Sequence, residues 1–228
     1  MQDDLSTRDG NVVANFKKWD QQHRWPEDGD EWKGQSVVCG VPYAQWKQSL
    51  VDHLILPYVG EGMHAIEIAP GHGRWTEFLG ARAAKLTLVD LSPACLAHCR
   101  ARFPDRDLEL FQSRGSNLPD HDRAIDVVWS FDAFVHMHPD VVREYIREIA
   151  RVLKPGGRAV IHHAGIEDLA AHKQKDHEGW RSAVNAALVR DFASEAGLSV
   201  EAQLTIWDEA NRIGVPRFGD KVSVLGKP

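Results

Sequence analysis

Cysteine is scarce: Cys39, Cys95 and Cys99 are the only three in 228 residues. Three cannot build a disulfide framework, and Cys95 and Cys99, four apart on one expected helix, lack the spacing of a metal site. Positive charge is in deficit. With 27 Lys and Arg against 33 Asp and Glu the formal net charge is −6, which excludes a general attraction to nucleic acid or an anionic membrane surface. Long hydrophobic runs are missing too. None approaches the roughly 18 residues of a membrane helix, and the opening MQDDLSTRDG has no signal-peptide pattern, so the expectation is a cytoplasmic protein. Internal repeats and low-complexity stretches are absent.

What is present is ordinary globular composition, 43% hydrophobic and 26% charged, in a chain long enough for one sizeable domain. Two residue types stand out, with 12 His and 8 Trp. Trp19, Trp25, Trp32 and Trp46 all fall before residue 50. Residues 1–41 are polar and without clear period. They read as an N-terminal arm or lid with one short helix near Asn15–Gln21, leaving 42–228 as the main domain.

Beyond residue 41 the patterning alternates. A helix is expected over Pro42–Val59, then a short apolar strand at His64–Ala69 and a helix over GRWTEFLGARAA. A second strand (Lys85–Val89) precedes a helix over Pro93–Phe103. Strands at Leu108–Phe111 and Ile125–Ser130 follow, then a helix over Pro139–Leu153 stopped by KPGG. Arg158–His162 is a fifth strand, Trp180–Ala196 a helix closed by Gly197, and Ser199–Ile206 and Lys221–Leu225 the last strands. Such alternation predicts an α/β fold, doubly wound and Rossmann-like, with helices on both faces of a mostly parallel sheet. Ligands of such sheets bind beyond the carboxyl ends of the strands, so functional residues belong directly after them.

The unusual residues are found there. In IEIAPGHGRWTEFL, Glu67 lies in the first strand and Ala69, Gly71 and Gly73 occupy the turn before a helix. Small residues at alternate positions let backbone approach a ligand and aim a helix N-terminus at it. A tight turn that merely needs glycine explains a lone Gly-x-Gly equally well. Asp90 adds weight. It ends the second strand, where a carboxylate can accept both hydroxyls of an adenosine ribose, and Ser92 is the better candidate for the cap before Pro93. A phosphate loop would need Gly-Lys-Ser/Thr. A nicotinamide fingerprint would need a third glycine, where Arg74, Trp75 and Thr76 stand. The Tyr43-x-x-x-Lys47 pair precedes the glycine loop, the wrong order for a short-chain reductase.

Glu67-x-Ala69-x-Gly71-x-Gly73 resembles the first motif of class I S-adenosylmethionine-dependent methyltransferases, with alanine replacing the first glycine. The resemblance runs from about Glu67 to Gly157 and includes Asp90 and the LKPGG before the fifth strand. It implies a seven-stranded sheet with an antiparallel last strand, S-adenosyl-L-methionine as cofactor, and methyl transfer from its sulfonium to a nucleophile. Carried over residue by residue, Ala69, Gly71 and Gly73 line the methionine part and Glu67 holds the loop or the amino group. Asp90 binds the ribose and Leu91 packs on adenine. Arg114 departs from the family pattern at the adenine position, leaving Gly115 and Ser116 as backbone contacts.

The stretch from Ser130 to Asp140 (SFDAFVHMHPD) occupies the position that faces cofactor and acceptor in this family. Phe131 is assigned to the cofactor. Enzymes acting on amines of nucleic-acid bases carry N/D-P-P-Y/F here, which this chain lacks. A hydroxyl acceptor benefits from a positioned base, and histidine is the commonest. His136 is the preferred base, followed by His162 and His163, with Asp132 to orient an imidazole or contact cofactor. His138 reads as an acceptor contact or as a helix-entry residue before Pro139. Asp132 with an imidazole could serve a divalent metal, but no closed metal motif is present.

The acceptor class follows from a looser similarity to small bacterial methyltransferases of hydroxylated small molecules and sugars. Trp25 and Trp32, in acidic loop sequence, offer flat faces for such a molecule and a cover that excludes water. Trp19 and Trp46 fit equally well as packing residues. The expected activity is O-methylation of a small, hydroxylated acceptor, saccharides included, with N- or C-methylation or non-catalytic binding of an adenosine ligand as alternatives. A monomer or homodimer is expected.

Overall fold

The computed structural model describes residues 7–30, 33–119, 122–172 and 180–228. In chain order its elements are α1 (Arg8–Phe16), α2 (Gly34–Cys39), α3 (Tyr43–Leu50), β1 (His64–Ile68), α4 (Thr76–Gly80), β2 (Lys85–Asp90) and α5 (Pro93–Arg102). There follow β3 (Leu108–Gln112), β4 (Ile125–Ser130), α6 (Pro139–Val152), β5 (Leu153–His163) and α7 (Ala186–Glu195). The chain ends with β6 (Ser199–Leu204), β7 (Ile206–Asp208), β8 (Ile213–Gly214) and β9 (Lys221–Gly226).

Seven strands make one sheet in the order β3-β2-β1-β4-β5-β9-β6, while β7 and β8 form a separate hairpin. From β3 across to β5 every pairing is parallel. The last strand, β9, runs antiparallel between β5 and β6. The central strands are apolar on both faces because helices cover both. Ile66, Ile68 and Val128 point to one side, packed with Ile146 and Ile149 of α6 and Phe192 of α7. Their neighbours Ala65, Val127 and Trp129 point to the other, packed with Leu50, Leu54, Trp75 and Leu96. Alternation along each strand is what divides the core into two layers.

Local signals place the helix starts. Ser92 Oγ accepts the Cys95 N–H (3.0 Å) ahead of Pro93 in the first turn of α5. The His138 ring accepts the Asp140 N–H (3.3 Å) ahead of Pro139 in α6. Proline at that position loses no helical hydrogen bond.

Boundaries differ from the sequence-based expectation where a cap or a tertiary contact intervenes. The N-terminal helix begins earlier than expected, at Arg8, because Thr7 Oγ1 accepts the Gly10 N–H (3.2 Å), and it continues as a wide π-helical turn over Lys17–Gln22. The helix expected from Trp180 starts at Ala186 instead, where Asn185 caps the Leu188 N–H (2.9 Å). The helix after the glycine turn shortens to Thr76–Gly80. Arg82 just beyond it donates to the Val59 carbonyl (2.8 Å), and the chain then turns into β2.

Candidate active site

Strand order reverses between β1 and β4, so the loops leaving β1, β2 and β4 open one crevice at their carboxyl ends. A cavity of about 310 Å³ lies there, walled by these loops and by the N-terminal segment.

The turn after β1 lies at one end. Ala69 takes φ +58°, Gly71 +55° and Gly73 +86°. Gly71 lines the cavity, and a Cβ on it would stand 2.7 Å from the Trp25 ring. Gly73 turns away, since a Cβ there would meet Phe103 at 2.6 Å. Asp90, at the end of β2, accepts the Gly71 N–H (3.3 Å) and the Ser92 N–H (2.9 Å). Burial lifts its carboxyl to about 6, against the pull of those N–H groups. Glu67 is buried behind the turn, accepts the Thr76 hydroxyl (2.6 Å), and burial lifts it to about 8. It ties β1 to α4 and does not border the cavity.

Ala69, Asp90, Leu91, Gly115 and Phe131 border the cavity with Val12, Val89, Val141 and Tyr145. Ser116 does not, and its hydroxyl goes to Glu144 (2.6 Å). Apolar side chains beside a half-buried carboxylate and bare glycine backbone match the needs of an adenosyl group: a flat ring, a diol and a close approach.

After β4 the chain enters a strained turn. Asp132 has φ +64° and borders the cavity. Its carboxylate lies 2.9 Å from Arg74 Nη1 and 3.2 Å from His162 Nδ1, while its N–H donates to that same Nδ1 (3.1 Å). His162 Nε2 is 3.3 Å from Asp220, and Asp220 is gripped by Arg181 through contacts of 2.8–3.0 Å. Burial alone would lower the His162 pKa. The carboxylates on either side outweigh it and raise the value, and His162 with Arg74 and Arg181 holds Asp132 well below the usual carboxylate range. Arg74 also lies 3.3 Å from Asp30, which is paired with Lys47 at 2.6 Å. A chain of alternating acidic and basic side chains thus runs along the cavity, with Arg74, Asp132 and Arg181 bordering it and Asp30, His162 and Asp220 behind them.

Of the four candidate histidines, only His136 borders the cavity. Its ring packs against Trp180 (4.6 Å between centroids) and Trp19 (5.3 Å). Its Nδ1 is buried without a hydrogen-bond partner, and burial first, then the Arg181 charge, pushes its pKa down to about 3. His162 is fully buried against Phe131 (4.3 Å). His163 faces the opposite way, bonded to Ser223 (2.7 Å). Adjacent strand positions cannot share a face. His138 serves as the cap of α6.

The N-terminal segment roofs the cavity. Asn11 and Asn15 donate to the His136 carbonyl (3.0 and 3.2 Å), and Asn11 Oδ1 accepts the His138 N–H (2.8 Å). Asp20 accepts the Ser92 hydroxyl (2.6 Å) beside Asp90. The Trp25 indole donates to the Trp19 carbonyl (2.8 Å) and stacks on His72 (5.5 Å). Trp46 is a core residue, and Trp32 lies outside the described residues. Asp20, Arg74, Arg181 and Arg217 all border the cavity unannounced by any motif. Arg74 alone left a trace, as a charge directly behind the glycines. Among the described residues no three His, Cys, Asp or Glu side chains converge to hold a metal ion, and no helix is long and apolar enough to cross a membrane.

Residues 65–157 match the family model for a methyltransferase domain. Over that stretch the chain is similar to S-adenosylmethionine-dependent methyltransferases. Over 101 residues it is 35% identical to the fatty-acid O-methyltransferase of Mycolicibacterium smegmatis, a match covering 42% of this chain and 35% of that protein. Over 98 residues it is 33% identical to the phthiotriol/phenolphthiotriol dimycocerosates methyltransferase of Mycobacterium tuberculosis, covering 42% and 36%. The chain thus spans about a third of the length of these curated relatives. Among solved structures, a chain in the complex of the Haloferax volcanii Trm112 methyltransferase activator with a methyltransferase aligns with TM-score 0.64 and 23% identity, over 91% of this chain and 100% of that one. The [4+2]-cyclase SpnF aligns equally well by TM-score, 0.64, at 17% identity over 95% and 91%. Such likeness shows the fold alone, and the chemistry rests on this chain's own cavity.

Proposed function

We propose that the protein transfers a methyl group from S-adenosyl-L-methionine to a hydroxyl oxygen of a small acceptor. The observation that carries this reading is the unpartnered, buried Nδ1 of His136, on a residue that borders the same cavity as Asp90 and Gly71. A buried nitrogen lone pair without a donor is costly, and an acceptor hydroxyl would satisfy it.

The cofactor, when bound, supplies an electrophilic methyl on a sulfonium. Asp90 would take the ribose hydroxyls, Gly71 the methionine portion by backbone contact, and Leu91 with Tyr145 the adenine face. His136 would accept the hydroxyl hydrogen bond and draw the proton away as the oxygen attacks, with reacting atoms about 3–3.5 Å apart. Its low basicity suits it to orienting the hydroxyl and makes it a modest base. Asp132, fixed by Arg74 and His162, would give the acceptor a second polar anchor. Trp25 and the rest of the N-terminal segment would exclude water.

For the body of the acceptor, Trp19, Trp25, Phe16 and Met137 provide an apolar wall. The relatives named for a fatty acid and for phthiotriol favour a lipid-like or flat apolar body over the saccharide that the sequence suggested. The test is transfer of labelled methyl from the cofactor into a metabolite extract, with the labelled product identified. An O-methyl ether supports the reading. An N- or C-methyl product replaces the assigned atom, and cofactor binding without any labelled product reduces the protein to a binder.

A further inference from the structure

Three guanidinium groups, Arg74, Arg181 and Arg217, border the cavity, and so do three carboxylates. Two of these, Asp20 and Asp90, sit together at Ser92, which leaves Asp132 as the carboxylate beside the arginines. Arg74 is held by Asp132 and Asp30, and Arg181 by Asp220. Arg217 differs: among the described residues no carboxylate lies within ion-pair distance of its guanidinium. It rests 4.7 Å from the centroid of the Phe218 ring, and Arg181 lies 4.5 Å from the same ring.

This placement is built. Buried Gln35 accepts the Arg217 N–H (2.9 Å) and donates to Asp220 (3.3 Å), fastening the Arg217 turn to the buried charge chain. Gly34 gives the guanidinium its room, since a Cβ there would fall 1.8 Å from Arg217 Nη1. Phe218 is held at φ +63°, a conformation a bulky side chain adopts only under constraint. A strained turn, tethered through its backbone, thus sets the exposed Arg217 guanidinium at the cavity wall beside Phe218, its planar fork matched to a carboxylate or phosphate.

Resting on the methyl-transfer reading, we propose that the acceptor is an anion: besides the hydroxyl that is methylated it carries a carboxylate or phosphate, which Arg217 binds. Arg217 is then a specificity-determining residue. It touches the acceptor away from the reacting oxygen, so it acts on acceptor binding and leaves the cofactor site untouched.

The test uses the full chain, labelled S-adenosylmethionine and a metabolite extract, with products separated by anion exchange at neutral pH. The labelled product is expected on the exchanger, eluting with salt. Arg217→Ala is expected to raise the KM for that product's precursor about 10- to 100-fold, the scale of a lost charge-assisted hydrogen bond, with kcat little changed. Arg217→Lys should recover part of the loss. Phosphatase treatment that releases the product from the exchanger marks a phosphate, and resistance marks a carboxylate. A labelled product in the unbound, neutral fraction overturns the proposal, as does an Arg217→Ala variant with wild-type KM. Cofactor binding with no labelled product in any fraction instead defeats the methyl-transfer reading, and this inference with it.

Discussion

Ala69 holds a left-handed backbone, φ +58°, at the position where the resembled motif has glycine. An L side chain there costs roughly 1–2 kcal/mol, partly offset by glycine's greater freedom in the unfolded chain. Ala69→Gly is therefore expected to stabilise the protein by up to about 1 kcal/mol and raise the Tm by about 2–4 °C in calorimetry. Asp90 predicts a pH effect. Only its ionised form accepts both ribose hydroxyls, and its carboxyl is lifted to about 6 by burial. Cofactor affinity should thus hold above pH 7 and fall as pH drops below 6, whereas Asp90→Ala should be weaker by about 1–3 kcal/mol above pH 7 and nearly pH-independent, so the gap closes at low pH. His136→Ala should slow turnover by about 10²-fold, the lower end for a positioned base, with cofactor affinity unchanged in calorimetry.

Hydrogen bonds and ion pairs spread along the N-terminal segment bind it to the body. Asn11 makes two of them, to the His136 carbonyl and the His138 N–H. Asn11→Ala leaves both without that partner, at a cost of about 1–3 kcal/mol. Limited proteolysis should then cut the segment faster while the sheet domain stays intact. An unchanged cleavage rate would remove Asn11 as its fastening. This docking was not legible in the sequence. Residues 1–41 show no helical period because α1 is held by two asparagines, whose amides carry no hydrophobic signal. Asn185 was a readable cap that the run from Trp180 obscured. By contrast Glu67, Gly71 and Asp90 were legible, because strand, turn and strand end are local patterns with fixed spacing. Asp220, Arg181 and Gln35 could not be paired from sequence, since Asp220 joins residues 39 and 185 positions away through the tertiary fold.

Taken across the molecule, burial at Glu67 and the carboxylates flanking His162 make folding sensitive to pH on the alkaline side. Glu67 is raised from 4.5 to about 8, and His162 is raised above 6.5. A raised group stabilises fully below its unfolded pKa and loses that contribution as pH climbs through the folded one. His136 and His163 are lowered, so their effect is confined to pH below about 6.5. The cofactor-free protein should therefore lose thermal stability between pH 6.5 and 8.5, and Glu67→Gln should flatten that slope. The central claim is that the crevice at the ends of β1, β2 and β4 holds an adenosyl sulfonium or its thioether product. Isothermal titration of the protein with S-adenosylhomocysteine tests it most directly. The account predicts saturable binding at one site per chain, much weakened by Asp90→Ala. Absence of binding, or binding equally strong in that variant, contradicts it.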